Sequence, residues 1–358
     1  MTGVRLRGVE GAEIDLGIAG DRFSVPPDDR EACIDLRHLW AVPGLADSHA
    51  HLTAGTIGEM VAGVTDEQAM IRANVAAQLA GGVLLIADKG SRTDAVLGTL
   101  GWPADQRPEL SAAGTVLAPA GGYYPEFEID VAGPDLPAAV VRATGGGATW
   151  VKLIGDWPRQ GVGALPNYAE DELRSAVTVA HDRGARVAIH AAAPDTPSMA
   201  VAAGIDSIEH GLFLTETDVQ HLGARGGAWV PTVAAMEGLA EMLGAHSSGG
   251  RLFAQGLANV RSLLGCAIEA GVVLLAGTDL HLPHGGVAGE ALALVRYGLD
   301  QGDALQTLTN NAYAYFGSER GFAPRMLADV VAFAINPLED IAALAKPEVV
   351  IRAGRVVD

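Results

Sequence analysis

The sequence predicts an α/β fold, a (β/α)8 TIM barrel with a small β-sandwich-like domain attached. Three observations point there. Short apolar, β-branched runs alternate with amphipathic stretches from about residue 65 to 316, which is the mark of repeated βα units. Hydrophobic residues make up 49% of the chain and glycine numbers 46, a composition suited to buried parallel strands joined by tight turns. The 358 residues are enough for one barrel, which typically takes about 250 residues, and a satellite.

In chain order, residues 1–40 read as short alternating strands with glycine turns, as in RLRGVEGAEIDL. Eight strand-like runs follow. They are VPGLADSHAHL at 42–52, GVLLIAD at 82–88, AAGTVLA at 112–118, TWVKLIG at 149–155, ARVAIHA at 185–191, GIDSIEH at 204–210, AWVPTV at 228–233 and VVLLAGTD at 272–279. Helices are predicted between them over 66–80, 169–184 and 250–270, each with apolar residues three and four apart. One further helix is predicted over 303–316. Residues 325–358, ending EVVIRAGRVVD, return to short strands. Segments 1–40 and 325–358 are therefore expected to pair into one small composite β domain, with 41–324 as the barrel.

The formal charge of -19 and the lack of any Lys/Arg-rich run argue against a nucleic-acid partner, which needs a concentrated cationic surface. No run is long and apolar enough to span a bilayer, and no secretion signal is recognised. A cytoplasmic protein with no membrane partner is the expectation. Cys33 and Cys266 form no C-x-x-C pair, so neither a disulfide framework nor a thiolate zinc site is signalled. Lysine is scarce, occurring only at Lys89, Lys152 and Lys346, so Lys152 inside an apolar strand run stands out.

His49 and His51 lie two apart on the first strand run, so both imidazoles project to one face. Asp47 is in phase with them. Lys152 falls near the end of the fourth run, His190 of the fifth, His210 of the sixth and Asp279 of the eighth. All five strand ends belong to the C-terminal rim, where barrel enzymes build their sites. Neutral imidazoles and a carboxylate gathered there suit a divalent transition metal such as Zn, Fe, Mn or Co.

This order of H-x-H, Lys, His, His and Asp resembles the binuclear amidohydrolase superfamily. The strings SIEHG at 207–211, AGTDLHLPHG at 276–285 and ADVVAF with VVIRAGRVV towards the end are similar to its imidazolonepropionase-like and Xaa-Pro dipeptidase-like branch. The resemblance implies a metal-dependent hydrolase with two divalent cations, zinc first among them. It further implies that carbon dioxide carbamylates Lys152, which bridges the metals. His49, His51 and Asp279 would hold one cation and His190 with His210 the other. The resemblance also makes Asp279 the catalytic base and then acid, acting on a hydroxide between the metals. Independently, a free ammonium would repel two dications, whereas a carbamate is an anionic ligand.

The expected substrate is a small molecule or short peptide with a C–N amide bond: a dipeptide, an N-acyl amino acid, a cyclic amide or a peptide-derived natural product. A lactone or ester hydrolase and a deaminase are alternatives on the same site, and a non-catalytic barrel scaffold is the alternative of another class. Homo-oligomerisation is left open. Candidate substrate contacts are Tyr123 and Tyr124 in GGYYPEF, Lys89 after the second run, Arg159 in GDWPRQG and His284 in PHG. At the second run the chain reads VLLIADKG where members of that branch carry a threonine-rich stretch leading to Arg-Asp.

Overall fold

The structure, a computed structural model, describes residues 2–26, 33–124, 127, 129–159 and 163–357. Among them the barrel strands are β1 (Leu45–Ala50), β2 (Val83–Asp88), β3 in two pieces (Glu109–Ala112 and Val116–Ala118), β4 (Trp150–Ile154), β5 (Arg186–Ala191), β6 (Ser207–His210), β7 (Ala228–Val230) and β8 (Val273–Leu274). All their pairings are parallel. The first piece of β3 pairs with β2 and the second with β4, so β3 joins the two sheets of the wall.

Between β8 and β1 the wall is closed by loop backbone. Ser48 N–H donates to Ala276 O at 2.8 Å and Asp279 N–H to His49 O at 2.9 Å. The eighth strand is shorter than the expected 272–279, because the chain beyond Leu274 bends across to β1. Asp279 and Leu280 adopt left-handed φ values of 46° and 58° in that bend.

Strand parity sorts the side chains. Val151, Leu153, Val187, Ile189 and Ile208 point out into the main core shared with the helices. Lys152, His190 and Glu209 alternate with them and face the barrel interior. The helices Glu67–Ala80, Glu170–Asp182 and Ser248–Glu269 fall where the periodicity predicts. Asp66 and Ser247 cap two of them, accepting from Ala69 N–H and Gly250 N–H.

The helix expected over 303–316 is instead two, Gln301–Thr307 and Asn310–Phe316. The carbonyls of Thr307 and Leu308 accept from Ala276 N–H and Ala46 N–H, so the barrel wall takes acceptors that a continuous helix would use itself.

The chain ends build two four-stranded sheets. One runs Arg22–Ser24, Glu13–Ala19, Thr2–Arg7, Cys33–Asp35; the other runs Arg355–Val356, Val349–Arg352, Val330–Phe333, Trp40–Val42. They share an apolar cluster that includes Val4, Leu6, Phe23, Val330 and Ile351. Where the second sheet meets the lower end of the barrel, Asp329 Oδ2 accepts from Arg352 Nη1 at 2.6 Å and from Arg320 Nη1. Arg320 Nη2 reaches Leu84 O at 2.8 Å and Glu109 Oε2 at 3.2 Å. No helix among the described residues is long and apolar enough to cross a membrane.

Candidate active site

Three imidazoles and one carboxylate converge at the top of the barrel. His49 Nε2 lies 3.2 Å from Asp279 Oδ1, His51 Nε2 3.6 Å from the same oxygen, and His210 Nδ1 3.8 Å from Asp279 Oδ2. Donor atoms of His49, His210 and Asp279 all fall within 4.8 Å of one another, a possible metal site. The His190 ring packs edge-on to His210 with centroids 4.5 Å apart, and its Nε2 lies 3.6 Å from Asp156 Oδ1.

The surrounding groups orient these rings. His51 Nδ1 sits 2.6 Å from Gly90 O, an acceptor only, so the proton belongs on Nδ1 and the Nε2 lone pair faces Asp279. Thr232 donates its hydroxyl to Pro231 O at 2.8 Å and so accepts from His210 Nδ1 at 2.7 Å, which again frees Nε2. Burial, then the neighbouring His190, pushes His210 well below the usual histidine range, keeping it the neutral ring a ligand must be. Asp47 ties β1 to the bend beyond β8, accepting from His49 N–H, Thr278 N–H and Thr278 Oγ1. Burial opposes ionisation of Asp279, but the facing His49, with His51 and His210 close by, outweighs it and holds the carboxyl well below its ordinary value.

Lys152 is buried at 2% exposure, and its Nζ has no hydrogen-bond partner among the described residues. Burial lowers its pKa to about 8, against the pull of Glu209. A donor left orphaned in the barrel interior costs free energy unless a further group satisfies it. Its setting, close enough to His210 and Asp279 to interact with both electrostatically, fits an amine converted to an anionic ligand.

Several expected substrate contacts lie elsewhere. Lys89 is 1% exposed and donates to Glu209 Oε1 at 3.0 Å, with Nζ 5.0 Å from the Trp150 ring, so it is spent inside the barrel and does not offer a charge at the mouth. His284 uses both nitrogens, Nδ1 with Gln78 Nε2 at 3.0 Å and Nε2 with Ala54 O at 2.9 Å, and so braces a loop. Arg159 donates to Asn167 Oδ1 at 2.7 Å within the hairpin of Asp156–Arg159 and Gly163–Pro166. Tyr123 and Tyr124 do sit beside the cluster. With Trp157 and Phe127 they form an aromatic wall that reaches His51 through Phe127 at 5.3 Å and His190 through Trp157 at 5.9 Å.

The sequence matches the Amidohydrolase family over residues 40–357. The chain belongs to the amidohydrolase family. An uncharacterized protein of Mycobacterium tuberculosis is 34% identical over 328 residues, 88% of this chain and 85% of that one. Ochratoxinase of Aspergillus niger is 27% identical over 248 residues, 66% of this chain and 51% of the enzyme. Among solved structures, a Xaa-Pro dipeptidase with methionine bound in its active site superposes with a TM-score of 0.83 at 25% identity, covering 99% of both chains. This amidohydrolase is thus a TIM-barrel hydrolytic enzyme acting on carbon–nitrogen bonds, with dipeptidase-like structural neighbours.

One residue of this amidohydrolase escaped the sequence reading. Glu209 is fully buried and central: Oε1 accepts from Lys89 and from Ser207 Oγ at 2.6 Å, while Oε2 lies 2.7 Å from His49 Nδ1. The His49 approach is close but bent away from ideal hydrogen-bond alignment. The alternation of polar Ser207 and Glu209 with apolar Ile208 on a buried strand was the available signal.

Proposed function

We propose that this amidohydrolase cleaves the amide bond of a dipeptide, an N-acyl amino acid or a peptide-derived amide at a centre of two divalent cations. His49, His51, His190, His210, Asp279 and Lys152 as its carbamate would hold the cations, zinc being the first candidate. When bound, such ions supply Lewis acidity and make water a nucleophile near neutral pH.

The observation that carries the reading is the amine of Lys152, buried with no hydrogen-bond partner among the described residues and close enough to His210 and Asp279 to interact with both electrostatically. A neutral amine adds to carbon dioxide and releases one proton, which turns an unsatisfied donor into an anionic ligand. Asp279, held ionised, takes a proton from the attacking water on a carboxylate oxygen and returns it to the leaving nitrogen. Burial and the Asp279 charge raise the Tyr124 phenol, which stays neutral and able to donate a hydrogen bond to a developing oxyanion. The aromatic wall offers an apolar face to the group beside the scissile carbonyl.

Elemental analysis of the purified protein should find about two transition-metal ions per chain. A panel of dipeptides, N-acyl amino acids and lactones, run against wild type and Asp279→Asn, tests the chemistry. Amide turnover that is lost in the variant supports the reading. A metal-free, unreactive protein would favour a scaffold, and preferential lactone cleavage would move the activity to esters.

A further inference from the structure

The barrel interior beneath the histidines holds a second charged layer that the reaction itself does not use. Glu209 comes from β6, Lys89 from the turn after β2 and Trp150 from β4, so the layer spans the barrel. Lys89 donates to Glu209 Oε1 at 3.0 Å, Ser207 Oγ donates to the same oxygen at 2.6 Å, and the ammonium lies 5.0 Å from the Trp150 ring centre. With Oε1 doubly engaged, Oε2 is the oxygen that faces His49 Nδ1, 2.7 Å away though off ideal hydrogen-bond alignment.

We infer that Lys89 and Glu209 form a positioning pair that fixes the His49 ring and keeps its proton on Nδ1, so that the Nε2 lone pair is presented to a metal. The logic is that of a ligand oriented from behind by a carboxylate, which sets ring angle and tautomer together. Gly90 O performs this task for His51 and Thr232 for His210. His49 differs, because its support is itself a charged group that needs a partner. A lone carboxylate buried in the barrel would be poorly held, and Lys89 supplies the compensating charge. This explains why one of only three lysines in the chain is buried in this layer. Neither residue touches substrate, so both are positioning residues. The inference rests on the reading of His49 as a metal ligand.

Cobalt(II) titration of metal-free full-length protein tests it, read by calorimetry and by the visible absorption of the bound ion. Glu209→Gln keeps size and can still accept from Lys89, but its amide nitrogen would face Nδ1 and favour the wrong tautomer. It should weaken cobalt binding about 10–100-fold and alter the visible spectrum. Lys89→Met should weaken binding in the same range, while Lys89→Arg, which keeps the ion pair, should stay close to wild type. Glu209→Gln with wild-type affinity and spectrum overturns the inference. If that variant does not fold, equal affinities of Lys89→Met and Lys89→Arg overturn it, and a clear gap between them supports it. Wild-type protein that takes up no cobalt defeats the metal reading first, an outcome distinct from wild-type uptake that the variants leave unchanged.

Discussion

Two buried charged clusters in this molecule are built on opposite principles. At the junction of barrel and terminal sheet, Asp329 accepts from Arg320, Arg352 and Ala353 N–H, and the arginines spend further donors on Leu84 O, Ala104 O and Arg107 O. At the barrel top, Lys152 Nζ has no hydrogen-bond partner among the described residues. Full satisfaction marks a fastening; a buried polar group left unpaired marks a place kept for something else. The contrast separates architecture from chemistry without reference to any relative.

The sharpest way to probe that separation is Asp279→Asn, which should lower kcat about 10²–10⁴-fold with little change in melting temperature. Matched steady-state kinetics and thermal melts would show it; a large loss of stability would place Asp279 among the fastenings. The converse change, Asp329→Ala, leaves two buried guanidinium groups without their carboxylate and should cost about 3–5 kcal/mol in urea unfolding. Metal uptake per folded molecule should stay the same, and a parallel loss would join the two clusters into one unit.

Lys152→Met tests the unpaired donor itself. It should abolish turnover yet stabilise the metal-free protein by about 1–3 kcal/mol, because an unsatisfied buried donor is removed. The gain should depend on pH. The folded amine titrates near 8 and the unfolded one near 10.5, so between these values the unfolded chain binds more protons and wild-type stability rises with pH. The advantage of Lys152→Met should therefore shrink from about pH 8 to pH 10.5, as urea melts across that range would reveal. Smallest of all, Thr232→Val removes the acceptor behind His210 and should weaken cobalt binding about tenfold by titration.

Much of the barrel was legible because its strands are buried on both faces and read as apolar runs, and because glycine punctuates the turns. Most of the regular elements fall within those runs, from Leu45–Ala50 to Ala228–Val230, but the first piece of β3, Glu109–Ala112, starts ahead of the run expected at 112–118. The misreadings share a cause. Residues 272–279 look like one strand and 303–316 like one helix, yet each is redirected by hydrogen bonds to a distant segment that local periodicity does not encode. His49, His51, His210 and Asp279 could be gathered from their placement at strand ends, and the structure does bring them together. Glu209 was passed over despite its alternation with Ile208, because it precedes His210 by one residue and parity would send the two to opposite faces. The left-handed φ of 67° at His210 turns its ring inward beside Glu209. Lys89 misled for a related reason, since a lysine at a strand end reads as solvated until its buried counter-charge is known.

The pairing of Trp40–Val42 with Val330–Phe333 carries a consequence for biosynthesis. At a synthesis rate of about 5–20 residues per second, the early strand waits on the order of tens of seconds for its partner to emerge. During that interval its unpaired edge is open to chance association, so nascent chains stalled late in translation should be the species most dependent on chaperones.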